Sequence, residues 1–178
     1  MIIDKNALFL LNELTGRYFY LDFFFFFLAD ILPYLLALPF LYLLLRNMKK
    51  HGWFAGEALF AGFFARYALV EPIRHIFPRE RPYQIFEEIN LILPFKESLS
   101  YPSGHMAFLF ALSTIVFSHN EKWGVLFYVL SFISGFSRVV TGIHWPLDVL
   151  SGMLLGILGG MIIEGMARAI KKEKEKGD

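Results

Sequence analysis

Long apolar runs alternate with short polar interruptions along this chain, falling at residues 23–45, 53–77, 105–117, 123–140 and 146–170. A helix needs about 20 mostly apolar residues to cross the hydrocarbon of a bilayer, so each run is a candidate span. The third run is short and is expected to begin inside a cleft. Ahead of them, Leu8, Leu11, Leu14 and Tyr18 recur at helical spacing within residues 1–20. That spacing predicts an amphipathic helix lying in the interface. The phenylalanines at 23–27 look strand-like in isolation, but the run continues far beyond strand length and reads as helix. The expected fold is all-α: a multi-pass transmembrane helical bundle of about five spans plus the N-terminal interfacial helix. One domain is expected over residues 1–178.

Composition agrees with that class and narrows the chemistry. The chain is 56% hydrophobic and 18% aromatic, outside the usual soluble range. A net charge of +1 with no basic stripe gives no reason to expect a nucleic-acid partner. The absence of cysteine excludes disulfides, thiolate catalysis and cysteine-ligated metals. Residues 1–11 carry Asp4 and a single Lys5 and lack a short apolar core ending in small residues. No cleavable signal peptide is therefore expected there.

Threading the chain through five crossings brings three polar segments to one side of the membrane. These are the end of the second run, the start of the third, and the join between the fourth and fifth. The opposite side receives Arg46, Lys49, Lys50, Lys122, Arg168, Lys171, Lys172, Lys174 and Lys176, nine cations. Apart from three arginines within the polar segments, the first side has four: Lys5, Arg17, Arg79 and Lys96. Cytoplasmic loops carry the excess of lysine and arginine, so the polar segments are expected outside the cytoplasm, on a cell-membrane protein. Residues 83–101 read equally as an interfacial cap or as a simple surface loop.

The polar segments are Arg74-(x6)-Arg81-Pro82, Tyr101-Pro102-Ser103-Gly104-His105 and Ser137-Arg138-(x5)-His144-(x3)-Asp148. Phosphoryl transfer needs neutralised equatorial oxygens, an in-line nucleophile and a proton for the leaving group. Arg74, Arg81 and Arg138 can supply the first, because a guanidinium stays charged and forks onto phosphate oxygens. Gly104 allows close backbone approach, Ser103 offers a hydroxyl, and the amides at the start of a helix point at anions. His105 stands at the edge of such a pocket and could donate a proton. His144 and Asp148 are i and i+4, one turn apart, so the carboxylate can hold one ring nitrogen protonated and free the other to attack phosphorus.

These three segments, in this order and with these gaps, resemble the tripartite signature of the type 2 phosphatidic acid phosphatase superfamily, which also takes in bacterial class A acid phosphatases and vanadium haloperoxidases. The motif region covers residues 74–148. The resemblance implies a phosphohistidine at His144 with Asp148 as its partner and His105 as the acid. It also implies phosphate binding by Arg74, Arg81, Ser103, Gly104 and Arg138, without metal or other cofactor. The signature usually begins with lysine, and this chain has Arg74. The longer fork could shift the phosphate or the substrate preference. The short layout and the Leu14–Asp22 stretch are similar to bacterial undecaprenyl diphosphate phosphatases. Undecaprenyl diphosphate is thus the expected lipid substrate, with phosphatidylglycerophosphate and phosphatidic acid as competitors.

Other readings stand beside these. A lone arginine near a span end is usually an interfacial anchor, and Arg79 and Lys96 are read so, without a role. His51, His75 and His119 lack a motif partner and are taken as interfacial or structural. His144 and Asp148 could be a metal pair, a reading disfavoured because three nearby arginines would repel a cation. Gly152, Gly156 and Gly160 predict close helix packing. Lys171 to Lys176 read as a solvated tail. Asp30 and Arg66, charged groups within spans, are expected to pair with each other in the bundle interior. A lipid transporter or binding protein could reuse the charged pocket without turnover, and a haloperoxidase-like oxidative enzyme is a more distant reading.

Overall fold

A computed structural model describes residues 2–46, 48–94 and 98–177. All its regular structure among those residues is helical. Helix α1 (Ile2–Asn12) is followed by a turn at Gly16, whose φ of 78° suits glycine. A long rod then runs without a break through α2 (Phe19–Phe26), a π-helical turn (Phe27–Ile31) and α3 (Leu32–Arg46). A second rod is built alike, from α4 (Met48–Phe63), a π-helical stretch (Phe64–Val70) and α5 (Glu71–Ile76). One short turn, α6 (Pro82–Ile85), precedes α7 (Gly104–His119), α8 (Glu121–Val140) and α9 (Pro146–Gly177).

Each predicted run is helical, with ends displaced by a few residues. Among the described residues, three helical stretches are long and apolar enough to cross a membrane: Phe19–Tyr42, Glu121–Val140 and Pro146–Lys174. The third predicted run, within α7, is a shorter apolar helix. The second, within α4 to α5, carries Glu57, Arg66, Glu71 and Arg74 along its length. Helix α9 continues through Lys171 to Lys176, so the expected tail is an exposed helical extension. Lys96 lies outside the described residues.

Helix α7 is apolar on every face, which fits a helix surrounded by others. It packs between α4, α8 and α9, and its residues from Met106 to Val116 are mostly buried. Glycines set how close α9 comes. A Cβ at Gly152 would collide with the Ser103 carbonyl, one at Gly156 would meet the Ala107 carbonyl at 2.5 Å, and one at Gly160 the Thr114 Cβ at 2.5 Å. Around this core, exposed Phe23, Leu38, Phe60, Phe132 and Leu154 form an apolar exterior suited to lipid.

The expected N-terminal helix is present but shorter than residues 1–20. It ends at Asn12, so Leu14 and Tyr18 fall outside it and are exposed, whereas Leu8 is buried. Asn12 Nδ2 donates to the carbonyls of Val140 (2.8 Å) and Asn90 (3.1 Å), and Asn90 N donates back to Asn12 Oδ1 (2.9 Å). These bonds tie α1 to the end of α8 and to the segment after α6. That segment buries Ile89 and Leu93, so its described part acts as a packed cap.

Candidate active site

The turn between α8 and α9 is what aims His144. Gly142 takes φ of 73°, and the backbone N–H groups of Ile143 and His144 both donate to the Arg138 carbonyl at 3.2 Å. The imidazole that this turn presents is 1% exposed. Its Nε2 lies 3.4 Å from Arg81 Nη1 and 3.4 Å from Ser103 Oγ. Its Nδ1 lies 3.3 Å from Ser100 Oγ and 3.5 Å from Asp148 Oδ2.

These contacts define a tautomer. Ser100 Oγ donates to Asp148 Oδ2, since an ionised carboxylate can only accept. The same oxygen can then accept a proton from Nδ1, which leaves Nε2 with a lone pair facing the donors Arg81 and Ser103. The direct His144–Asp148 contact expected from i, i+4 spacing is thus long, and Ser100 bridges it. Burial first, then the charges of Arg138, Arg81 and Arg74, hold the His144 pKa well below the usual imidazole value. A neutral imidazole with a lone pair on Nε2 can act as a nucleophile.

Arg81 caps α6 from a buried position. Its Nε donates to the Ser98 carbonyl (3.0 Å), Nη1 to the Ile143 carbonyl (2.9 Å) and Nη2 to Ser98 Oγ (2.9 Å). Burial lowers its pKa from the usual guanidinium value, yet arginine stays charged at any working pH. Arg74, on α5, donates through Nη1 to Glu71 Oε1 (2.8 Å) and through Nη2 to the Pro102 carbonyl (3.0 Å). Arg138, 1% exposed in the last turn of α8, reaches the Ala29 carbonyl at 2.7 Å. Pro33 has no N–H to offer that carbonyl four residues back, so the first rod presents a ready acceptor. Among the described residues, the Nε atoms of Arg74 and Arg138 are buried without a hydrogen-bond partner. Such donors suit an anion, because an unmet buried donor is costly.

Ser103 caps α7, and its N–H donates to the Asp148 carbonyl at 3.0 Å, tying the start of α7 to the start of α9. Gly104 and His105 follow in the first turn. The sequence-predicted residues Arg81, Ser103 and His144 therefore meet directly. Asp148 stands behind His144, Arg74 joins through Pro102, and Arg138 through the backbone of the His144 turn. His105 lines a groove of about 560 Å³ whose walls include Pro33, Leu38, Phe63 and Phe108.

Sequence reasoning missed four residues around this site. Ser100 is one. Arg79, read as an anchor without a role, instead bridges two carboxylates: Nη1 donates to Asp148 Oδ1 (2.9 Å) and Nη2 to Asp4 Oδ2. It also lies over the Trp145 ring at 4.4 Å. Asp4 is buried, and its other oxygen accepts from Leu147 N at 3.0 Å. Arg66 is the fourth. The expected Asp30–Arg66 pair is absent from the ion pairs among the described residues. Both residues lie in π-helical stretches, where the backbone departs from regular α-helical geometry. Arg66 instead approaches Gly104. The one sequence signal for these four is that Arg66 is a charge inside a span.

The family model described as the PAP2 superfamily matches residues 54–170. The chain is 29% identical over 161 residues to a Bacillus licheniformis protein named bacitracin transport permease protein BcrC, covering 90% of this chain and 79% of that one. It is 31% identical over 102 residues to an undecaprenyl-diphosphatase of Sulfolobus acidocaldarius, covering 57% of this chain and 50% of the relative. The crystal structure of Aquifex aeolicus LpxE is similar with a TM-score of 0.71 at 29% identity, covering 90% of this chain and 93% of that one.

Proposed function

The chain belongs to the PAP2 superfamily, as an integral membrane phosphatase that hydrolyses lipid phosphates without a metal; from there we propose that its substrate is a polyprenyl diphosphate such as undecaprenyl diphosphate. The observation that carries this reading is His144 Nε2, turned toward Arg81 and Ser103 and backed through Ser100 by Asp148. Relatives named undecaprenyl-diphosphatase support the choice of lipid. So does the groove beside His105, whose apolar walls suit a prenyl tail.

In this reading Nε2 of His144 attacks the terminal phosphorus as the bond to the bridging oxygen breaks. Arg74, Arg81 and Arg138, with the Ser103 hydroxyl and the Gly104 backbone, hold the phosphoryl oxygens while charge redistributes over them. His105 gives the departing oxygen its proton. Water then attacks the phosphorus as its bond to Nε2 breaks, with His105 taking a proton from the water, and inorganic phosphate leaves. Developing charge on the His144 ring passes through Nδ1–H to Ser100 and Asp148. The excess of cations on the far side supports a site outside the cytoplasm.

The test is phosphate release by purified enzyme from undecaprenyl diphosphate, phosphatidylglycerophosphate and phosphatidic acid. Preference for the first is expected, and preference for either of the others overturns the choice of lipid. Loss of release in both His144→Ala and His105→Ala is expected; undiminished turnover in either removes that residue from the mechanism. A protein that binds the lipid without releasing phosphate would instead be a carrier.

A further inference from the structure

Two guanidiniums converge on Gly104 from different turns of the second rod. A methyl group placed on Gly104 would lie 3.2 Å from Arg66 Nη1 and 3.5 Å from Arg74 Nη2. Arg74 is already engaged by Glu71 and by the Pro102 carbonyl. Arg66 stacks beside Tyr67, its guanidinium carbon 5.6 Å from the ring centre, and joins no ion pair among the described residues. A half-buried cation held beside another cation, deep in an apolar bundle, calls for an anion. In the mechanism above the three motif arginines hold one phosphoryl group; Arg66 is a fourth cation beyond that requirement.

Its position indicates which part of the substrate it meets. Arg66 and His105 line the same groove, whose other walls are mostly apolar side chains of α3, α4 and α7, with Tyr34 and Tyr67. If His105 protonates the departing oxygen, this groove holds the leaving group. In a lipid diphosphate the leaving group is itself a phosphate, attached to the tail. The π-helical stretch Phe64–Val70 carries Arg66 and widens the helix where the guanidinium must turn toward α7.

We propose that Arg66 binds the tail-side phosphate of a lipid diphosphate, so that the site selects diphosphates over monophosphates. The proposal rests on the diphosphatase reading above. Arg66 neutralises the charge that accumulates on the departing phosphate as the bridging bond breaks, while His105 supplies its proton. A monophosphate with the same tail presents only an alcohol oxygen there, which gives a guanidinium far less to hold.

The experiment compares kcat/KM for farnesyl diphosphate and farnesyl phosphate, which share a tail, in wild type, Arg66→Gln and Arg66→Lys. The expected result is a fall in the diphosphate-to-monophosphate ratio of about 10- to 100-fold in Arg66→Gln, the effect of one charged hydrogen-bonding partner. Arg66→Lys recovers part of it by keeping charge without the fork. An unchanged ratio, whether activity falls equally on both lipids or on neither, overturns the role. Should Arg66→Gln fail to fold, Arg66→Lys carries the test, with a fall of about 3-fold or more expected for loss of the fork and an unchanged ratio again decisive. Wild-type enzyme that turns over no prenyl diphosphate at all refutes the substrate reading itself, a result read without any variant.

Discussion

Ser100 stands between His144 and Asp148, its Oγ donating to the carboxylate and lying 3.3 Å from the imidazole Nδ1. The carboxylate is engaged on both oxygens, by Arg79 on one and by Ser100 and the Trp145 N–H on the other. Its influence on the ring therefore passes through a hydroxyl. Ser100→Ala removes the hydroxyl that links the carboxylate to the ring, and kcat is expected to fall about tenfold, the effect of roughly one hydrogen bond. Ser100→Thr, which keeps the hydroxyl, should fall less. Single-turnover phosphate release measures both, and an alanine variant with wild-type kcat would mean that Asp148 reaches the ring unaided.

The Asp4–Arg79–Asp148 chain connects the first helix to the carboxylate behind His144. Removing Arg79 strands two buried acids, and breaking such a pair by deleting one partner costs about 3–5 kcal/mol. Arg79→Gln is expected to melt well below wild type in detergent and to lose activity along with its hold on Asp148. Adding Asp4→Asn should recover part of the lost stability, because one of the stranded charges is then gone. Strict additivity of the two changes would show that the residues are not coupled.

Much of this arrangement is legible in the sequence, for a physical reason. A polar residue inside an apolar run is conspicuous, so Arg74, Ser103, His105, Arg138, His144 and Asp148 stand out by contrast. The helices are legible because membrane spans are long and their apolar content is extreme. Arg79 is not legible, since a span-end arginine that anchors and one that bridges buried acids look alike along the chain. Asp4 and Ser100 lie in segments whose neighbours are decided only by how α1 and the loop before α7 dock. Arg66 is conspicuous but its partner is not, because a charge inside a span signals the need for a partner without saying which element supplies it.

The α7–α9 interface depends on hydrogen-sized side chains. Gly156→Ala puts a methyl 2.5 Å from the Ala107 carbonyl and 2.7 Å from Phe110 Cβ, contacts that backbone cannot relieve cheaply. A loss of about 1–3 kcal/mol is expected from overpacking. A methyl added at Gly165, on the same helix, would have nothing within 4 Å among the described residues. Gly165→Ala should therefore be neutral or stabilise by up to about 1 kcal/mol through helix propensity. Thermal melting of the pair separates packing from propensity, and equal effects would mean that α9 does not lie against α7 as described.

The pH profile follows from the charge around His144. Its pKa is lowered because burial and three guanidiniums oppose a positive imidazole, so the neutral nucleophile persists below the usual histidine range. As pH falls, the unfolded chain binds this proton first, so the residue also withdraws stability below its unfolded pKa. Activity in the free enzyme should hold until pH drops to the lowered value, placing the acid limb of kcat/KM well below about pH 6.5. Bound phosphate cancels part of the guanidinium charge, which raises the His144 pKa in the complex. The acid limb of kcat is therefore expected at higher pH than that of kcat/KM. Initial rates from about pH 4 to 9 at low and saturating lipid give both limbs. Limbs that coincide near about pH 6.5 would mean that the arginines do not bear on this ring.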